Sequence, residues 1–154
     1  YAPLFAHTDG WQWTPDLIWV NNLESYGTPN YYVQKLYSLN KGTNVVPALL
    51  NGQPLTGQDS LYASAVIDKN TNDVIIKIVN PYATPITKKI TVDGAKKLAS
   101  KGLLTVLQGR DISNVNSFSQ PKNVAPVESE ITVKGKQINF VAAPYSLSVI
   151  RIKM

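Results

Sequence analysis

The chain has 154 residues, 44% of them hydrophobic and 16% charged, a balance that excludes intrinsic disorder and fits one domain. Cysteine is absent and His7 is the sole histidine, so a disulfide framework is excluded and neither a metal centre nor a cofactor is expected. The net charge is +5, yet thirteen of the fifteen cations are lysines, scattered through strand-like segments (Lys77, Lys88, Lys89, Lys134, Lys136) as on solvated sheet edges, not on a nucleic-acid surface. No apolar run approaches the ~20 residues of a membrane-spanning helix, so neither nucleic acid nor membrane is an expected partner.

Composition changes along the chain. All three tryptophans and five of the eight tyrosines precede residue 43. That first quarter carries a net charge of −1, from Lys35 and Lys41 against Asp9, Asp16 and Glu24, and the remainder is +6. Tyr1 to Ala6 is too short to classify and is compatible with the tail of a helix. His7 to Trp13 reads as a polar, aromatic loop. Leu17-Ile18-Trp19-Val20 is an unbroken apolar run, as in a strand buried on both faces. Asn21 to Gly27 reads as a loop. Thr28 as N-cap and Pro29 at the first helical position predict a helix over 29–40. Tyr32, Leu36 and Leu39 fall on one stripe with Val33 and Tyr37 beside them, and Gly42 can close the helix in the left-handed conformation.

From Thr43 the hydrophobic period drops to two. Leu61 to Asp68 and the alternating run from Val74 to Val79, joined by Lys69-Asn70-Thr71-Asn72, predict a hairpin. Further strands are expected over 86–92 and 103–107. A second hairpin is expected over 131–141 around Gly135, with Ile138 and Phe140 on one face. The closing strand over 145–153 slips in phase at Val149-Ile150, which suggests a bulge. The stretch 94–102 suits one helical turn or a loop, and 109–127 suits a long crossover between sheets. Many short strands with Pro, Gly and Asn punctuation predict a mainly β protein, an antiparallel β-sandwich over 43–154. One strand and one helix cannot form a stable layer alone. Residues 1–42 are therefore expected to be the end of a larger α/β domain, severed from upstream companions.

Few motifs carry chemistry. Glycoside hydrolysis needs two carboxyl groups, and the three glutamates, Glu24, Glu128 and Glu130, read as solvated. Asp68 to Asn72 opens like a calcium loop, but Asp73 stands where glycine is required and Val79 where the bidentate glutamate belongs, so a turn is preferred. No nucleophile elbow or phosphate loop is present. Trp11 and Trp13 lie two apart, a spacing that allows a sugar-stacking platform on an extended segment.

Several stretches resemble the C-terminal region of family 51 α-L-arabinofuranosidases. They are Tyr1-Ala-Pro-Leu-Phe-Ala, Trp13-x-Pro15-Asp16-Leu17-Ile18 and Thr28-Pro29-Asn30-Tyr31-Tyr32-Val33-Gln34. Asn116-Ser117-Phe118-x-x-Pro121-x-x-Val124-x-Pro126 and Pro144-Tyr145-Ser146-Leu147-Ser148-Val149 belong with them. The resemblance implies a retaining glycosidase whose (α/β)₈ barrel precedes a jelly-roll-like sandwich. Residues 1–42 would then be the barrel's end: Tyr1–Ala6 closing its seventh helix, Leu17–Val20 its eighth strand, Pro29–Asn40 its eighth helix. Both catalytic glutamates of the family lie upstream of Tyr1, so no catalytic residue is carried over. His7, Trp11 and Trp13 would sit on the face opposite the active site. Asn21, Asn22 and Glu24, following strand eight, would line the cleft rim. The implied partners are the rest of the barrel, an arabinose-containing plant polysaccharide and a second copy of the chain, in an extracellular or periplasmic setting. The sandwich is expected to be structural and the chain alone inactive; the alternative is a carbohydrate-binding module. The orphaned strand and helix are expected to pack on the sandwich or across a dimer contact.

Overall fold

The computed structural model describes residues 3–10, 14 and 16–154. The opening strands are β1 (Phe5–His7), β2 (Ile18–Val20) and β3 (Ser25–Gly27), in the order β1-β2-β3. β1 runs parallel to β2 and β3 antiparallel to it. Phe5 and Ala6 are thus extended and not the tail of a helix. β2 is flanked by one parallel and one antiparallel neighbour, and Ile18, Trp19 and Val20 are half-buried. The expected burial on both faces is not met.

The helix α1 (Pro29–Leu39) follows with Thr28 as N-cap, whose Oγ1 accepts from the Tyr31 amide at 3.3 Å. Its closure differs from expectation. Asn40 caps it, donating its side-chain amide to the Leu36 carbonyl at 2.9 Å. Gly42 serves close approach instead: a Cβ there would lie 2.6 Å from the Val66 side chain. Tyr32, Val33 and Leu36 form the packed face, while Leu39 and Tyr37 are exposed.

The body continues with β4 (Asn44–Val46), β5 (Leu49–Leu50), β6 (Gln53–Pro54), a single 3₁₀ turn (Gln58–Ser60), β7 (Tyr62–Asp68) and β8 (Asp73–Asn80). β9 (Ile86–Thr91), β10 (Lys101–Gln108), β11 (Val127–Thr132), β12 (Gln137–Ala142) and β13 (Ser146–Lys153) complete it. Six of these strands form one antiparallel sheet, β11-β10-β13-β8-β7-β4, faced by the β9–β12 ladder. Asn51 and Gly52, both at positive φ, turn β5 into β6. β7 and β8 form the expected hairpin.

Between the two layers lies the larger core. Val74, Ile76 and Ile78 of β8 and Ile150 and Ile152 of β13 meet Ile138, Phe140 and Ala142 of β12. The opposite face of the six-stranded sheet is also covered. Ile75, Leu107, Leu147 and Val149 pack against Leu36, with Val124 completing the cluster. β8 and β13 are therefore buried on both faces. That explains the lost alternation at Val149-Ile150, where β13 keeps an unbroken register with β8 and no bulge.

Three further expectations change. The Gly135 turn is closed by the antiparallel Lys134–Gln137 pair alone; beyond it β11 and β12 pair with different strands, β10 and β9, so the turn carries the chain between layers. Residues 109–126 connect β10 to its own neighbour β11 and do not cross between sheets. Residues 94–100 form no helix; Leu98 is buried in the main core and the Ala99 amide donates to the Lys153 carbonyl at 2.9 Å. Asn80, fully buried, fastens the crossing after β8. Its Nδ2 reaches the carbonyls of Thr84, Ala142 and Ala143 (2.8, 3.2 and 3.0 Å), and its Oδ1 accepts from the Tyr82 amide at 3.0 Å.

A polar chain ties the end of α1 to the sheet. Arg151 donates to Asn40 Oδ1 at 3.3 Å and to Asp73 Oδ2 at 2.7 Å, and Lys153 lies 2.9 Å from Asp73 Oδ1. Burial pushes the Asp73 carboxyl up, but hydrogen bonds from Arg151, Lys153 and Thr71 outweigh it and hold the group below its ordinary value. Lys77 lies on the same face, with its Nζ 5.6 Å from the Tyr37 ring centroid; burial first, then the Arg151 charge, pushes its pKa down.

Truncating Leu36→Ala should destabilise the chain by about 2–4 kcal/mol in urea unfolding; a change under about 0.5 kcal/mol would mean that the helix is not seated on the sheet. The Asp73 contribution should be complete above the unfolded carboxyl value near 3.8 and be lost as pH falls through the lower folded value. Asp73→Asn should cost about 3 kcal/mol at neutral pH and flatten the acid limb of a melting-temperature profile between pH 7 and 2.

Candidate functional site

β1 and β2 run in the same direction, so their ends converge. His7 pairs in register with Val20, and the Thr8 amide donates to the Val20 carbonyl at 3.1 Å. Beyond Val20 the chain reverses through Asn21–Glu24 into β3. Asn21 makes that turn: its amide donates to the Glu24 carbonyl at 3.0 Å, and its Oδ1 accepts from the amides of Leu23 and Glu24 at 2.8 and 2.6 Å. This is the local side-chain capping that favours asparagine at turns. The Asn21 oxygen is thereby engaged. Asn22 Oδ1 stands 3.2 Å from His7 Nε2, while His7 Nδ1 accepts from the Asp9 amide at 3.2 Å. That bond to Nδ1 fixes the tautomer with the proton on Nε2, which donates to Asn22. Leu23 and Glu24 are exposed at the tip.

The rim candidates Asn21, Asn22 and Glu24 thus share one turn, and the structure adds His7 to them. The sequence expectation put His7 on the opposite face. It fails because the residues before His7 form a strand parallel to β2, which brings both strand ends to one side. The available signal was the apolar run Leu4-Phe5-Ala6 ahead of a polar loop, too short to separate strand from helix. Trp11 and Trp13 lie outside the described residues.

Among the described residues the carboxylates make no acid–base pair. Glu24 is exposed, as are Glu128 and Glu130 on β11, where Lys101 Nζ lies 2.9 Å from Glu130. Thr71 Oγ1 lies 2.9 Å from an oxygen of both Asp68 and Asp73. Asp73 is held in its ionised form, the reverse of what a general acid needs. Asp111 is likewise held below its ordinary value, by hydrogen bonds from the Ser113 side chain and backbone and from Asn114. Among the described residues no three His, Cys, Asp or Glu side chains gather as a metal-ion site.

The β-rich body and the opening segment packed on it (the stem, β1 to α1) are matched in known proteins. A family model described as the α-L-arabinofuranosidase C-terminal domain matches residues 1–146. α-L-Arabinofuranosidase 1 of Arabidopsis thaliana is 35% identical over 153 residues, covering 96% of this chain and 22% of the relative. An extracellular exo-α-L-arabinofuranosidase of Streptomyces chartreusis is 50% identical over 54 residues, 35% of this chain and 6% of that protein. The arabinose-bound structure of MgGH51 α-L-arabinofuranosidase superposes with a TM-score of 0.86 at 29% identity, over 99% of this chain and 23% of that one. The Thermotoga maritima α-L-arabinofuranosidase superposes with a TM-score of 0.75 at 21% identity, over 90% of this chain and 32% of that one, a likeness of fold. The chain thus spans about a fifth of the length of its curated relatives. With its mainly antiparallel sheets and its single described α-helix, it belongs to the family of α-L-arabinofuranosidase C-terminal domains.

Proposed function

We propose that the chain is the non-catalytic C-terminal domain of a retaining α-L-arabinofuranosidase that removes terminal α-L-arabinofuranosyl residues from plant polysaccharides. Its role is to brace the end of the catalytic barrel and to supply subunit contacts. Residues 1–42 are read as the barrel's last portion and 43–154 as the sandwich that holds it.

The observation that carries this reading is the attachment of the stem. Helix α1 buries Leu36 against Ile75, Leu107, Leu147 and Val149 of the sandwich. Asn116, itself buried, donates to the Gly27 carbonyl at 2.8 Å and to the Val124 carbonyl at 2.9 Å, and accepts from the Val124 amide at 2.7 Å. Phe118 meets Tyr26 edge-on, with centroids 4.9 Å apart. A segment so held transmits its position to whatever adjoins it. β1 supports the same reading, since Leu4 and Phe5 remain exposed beside its open edge. The rim role of Asn21, Asn22 and Glu24, now joined by His7, follows from the rule that barrel active sites form at the carboxyl ends of parallel strands. Of the aromatic residues after residue 43, Phe140 is buried and Phe118 is engaged by Tyr26, which leaves Tyr62 and Tyr82 exposed.

The purified chain should not hydrolyse an aryl α-L-arabinofuranoside above the buffer rate. Turnover that Glu24→Gln abolishes would overturn the non-catalytic reading. Asn116→Ala should cost about 2 kcal/mol, since it leaves buried backbone groups unpaired. Hydrogen exchange should then quicken in 25–33 before it does in β8 and β13; uniform quickening would contradict the bracing role.

A further inference from the structure

The short hairpin of β5 and β6 turns through Asn51 and Gly52, both exposed and both at positive φ (51° and 78°). Asparagine and glycine are the residues that a two-residue turn of this kind favours. The pair is also the sole Asn-Gly in the sequence. Two observations set it apart chemically. The Gly52 amide donates to no group, and a Cβ built on Gly52 would meet nothing within 4 Å. The Asn51 carboxamide makes no hydrogen bond either, whereas the side chains of Asn21, Asn40, Asn80, Asn116 and Asn123 are each held by backbone partners. Each strand of the hairpin has only two residues, and a ladder that short resists local opening weakly. The hairpin springs from Ala48 and Leu55, where the Leu55 amide donates to the Ala48 carbonyl at 2.9 Å and both side chains pack on the core beneath the β9–β12 ladder. It therefore stands on the side of the six-stranded sheet away from α1.

We propose that Asn51 is a site of spontaneous covalent modification, cyclising on Gly52 and opening to isoaspartate. Base removes the Gly52 amide proton, and the nitrogen attacks Asn51 Cγ. The N–Cγ bond forms, the Cγ–Nδ2 bond breaks, and ammonia leaves. Water then opens the succinimide. Addition at Cγ gives aspartate; addition at the backbone carbonyl gives isoaspartate, whose chain runs on through Cγ. Nothing is oxidised or reduced, and water is the only co-reactant. Glycine permits the attack because no side chain obstructs the approach of its nitrogen. Either product places a new negative charge at the tip of the hairpin. Isoaspartate also adds one backbone atom to a two-residue turn, so the Leu50–Gln53 register is lost. The Ala48–Leu55 closure stands behind that pair and confines the change to the hairpin.

The test is to age the purified chain at mildly alkaline pH and body temperature. Peptide mapping by mass spectrometry, with an isoaspartate-specific methyltransferase as the label, should find Asn51 converting several-fold faster than the exposed Asn70 and Asn139 of the same chain. The rate should rise in proportion to hydroxide concentration and stay within a few-fold of that in concentrated urea. Gly52→Ala should slow the conversion several-fold, and Asn51→Gln should remove the isoaspartate signal from that peptide. Conversion at Asn51 no faster than at Asn70 or Asn139 would overturn the site. Conversion in urea but not in the native chain would equally overturn it, because the folded turn would then protect the asparagine.

Discussion

The fold depends on one sheet being apolar on both faces. β8 and β13 lie at the centre of the six-stranded sheet, and nearly every residue of each is buried. A strand of this kind cannot end a protein's layer. One face is closed by the β9–β12 ladder through Ile138, Phe140 and Ala142, and the other by α1 through Leu36 and Val33. Burying such side chains contributes about 1.5–3 kcal/mol each. The helix therefore contributes to the sheet's stability beside the larger core under the second layer. The family match, over residues 1–146, takes in this helix and the strands before it.

Polar groups fix where the layers sit. Apolar contact alone tolerates sliding, whereas a buried amide with several fixed partners does not. Asn80 gathers the turn after β8 and the end of β12, Asn116 joins the loop before β11 to the residue that ends β3, and Arg151 joins the cap of α1 to Asp73. Each acts between segments distant in sequence. Together they give a two-sided sheet a single arrangement of its covers.

Much of this was legible in the residues. Thr28-Pro29 placed the start of α1, and the alternation from Val74 to Val79 with its turn placed the β7–β8 hairpin. The failures share a cause: local pattern does not reveal which neighbour a strand will meet. Lys134-Gly135-Lys136 has hairpin chemistry, yet β11 and β12 diverge into different layers, because strand partners are chosen by long-range burial. Val149-Ile150 looked like a slip in phase because two-sided burial erases alternation. Gly42 looked like a helix cap, yet its reason is the Val66 side chain, which is remote in sequence. At the candidate rim, the asparagines were identifiable as turn residues, but the His7 partnership needed the parallel register of β1 and β2.

The two ends of the opening strands also differ in how they treat their polar groups. At one end Asn21 is engaged by its own turn and His7 by Asn22 and Asp9, so the groups there satisfy one another at the surface. At the other end Asp16 is buried, and its carboxyl oxygens and the Asn30 Nδ2 atom have no hydrogen-bond partner. Surface groups can always turn to water, so their mutual pairing says little about purpose. A buried carboxylate has no such recourse, and a fold keeps one only where the surrounding backbone over-determines its position. Thr28 does so from one side through the carbonyls of Asp16 and Leu17, and Asn116 from the other through Gly27. The contacts that seat the opening segment on the sandwich therefore also fix the position of this buried side chain.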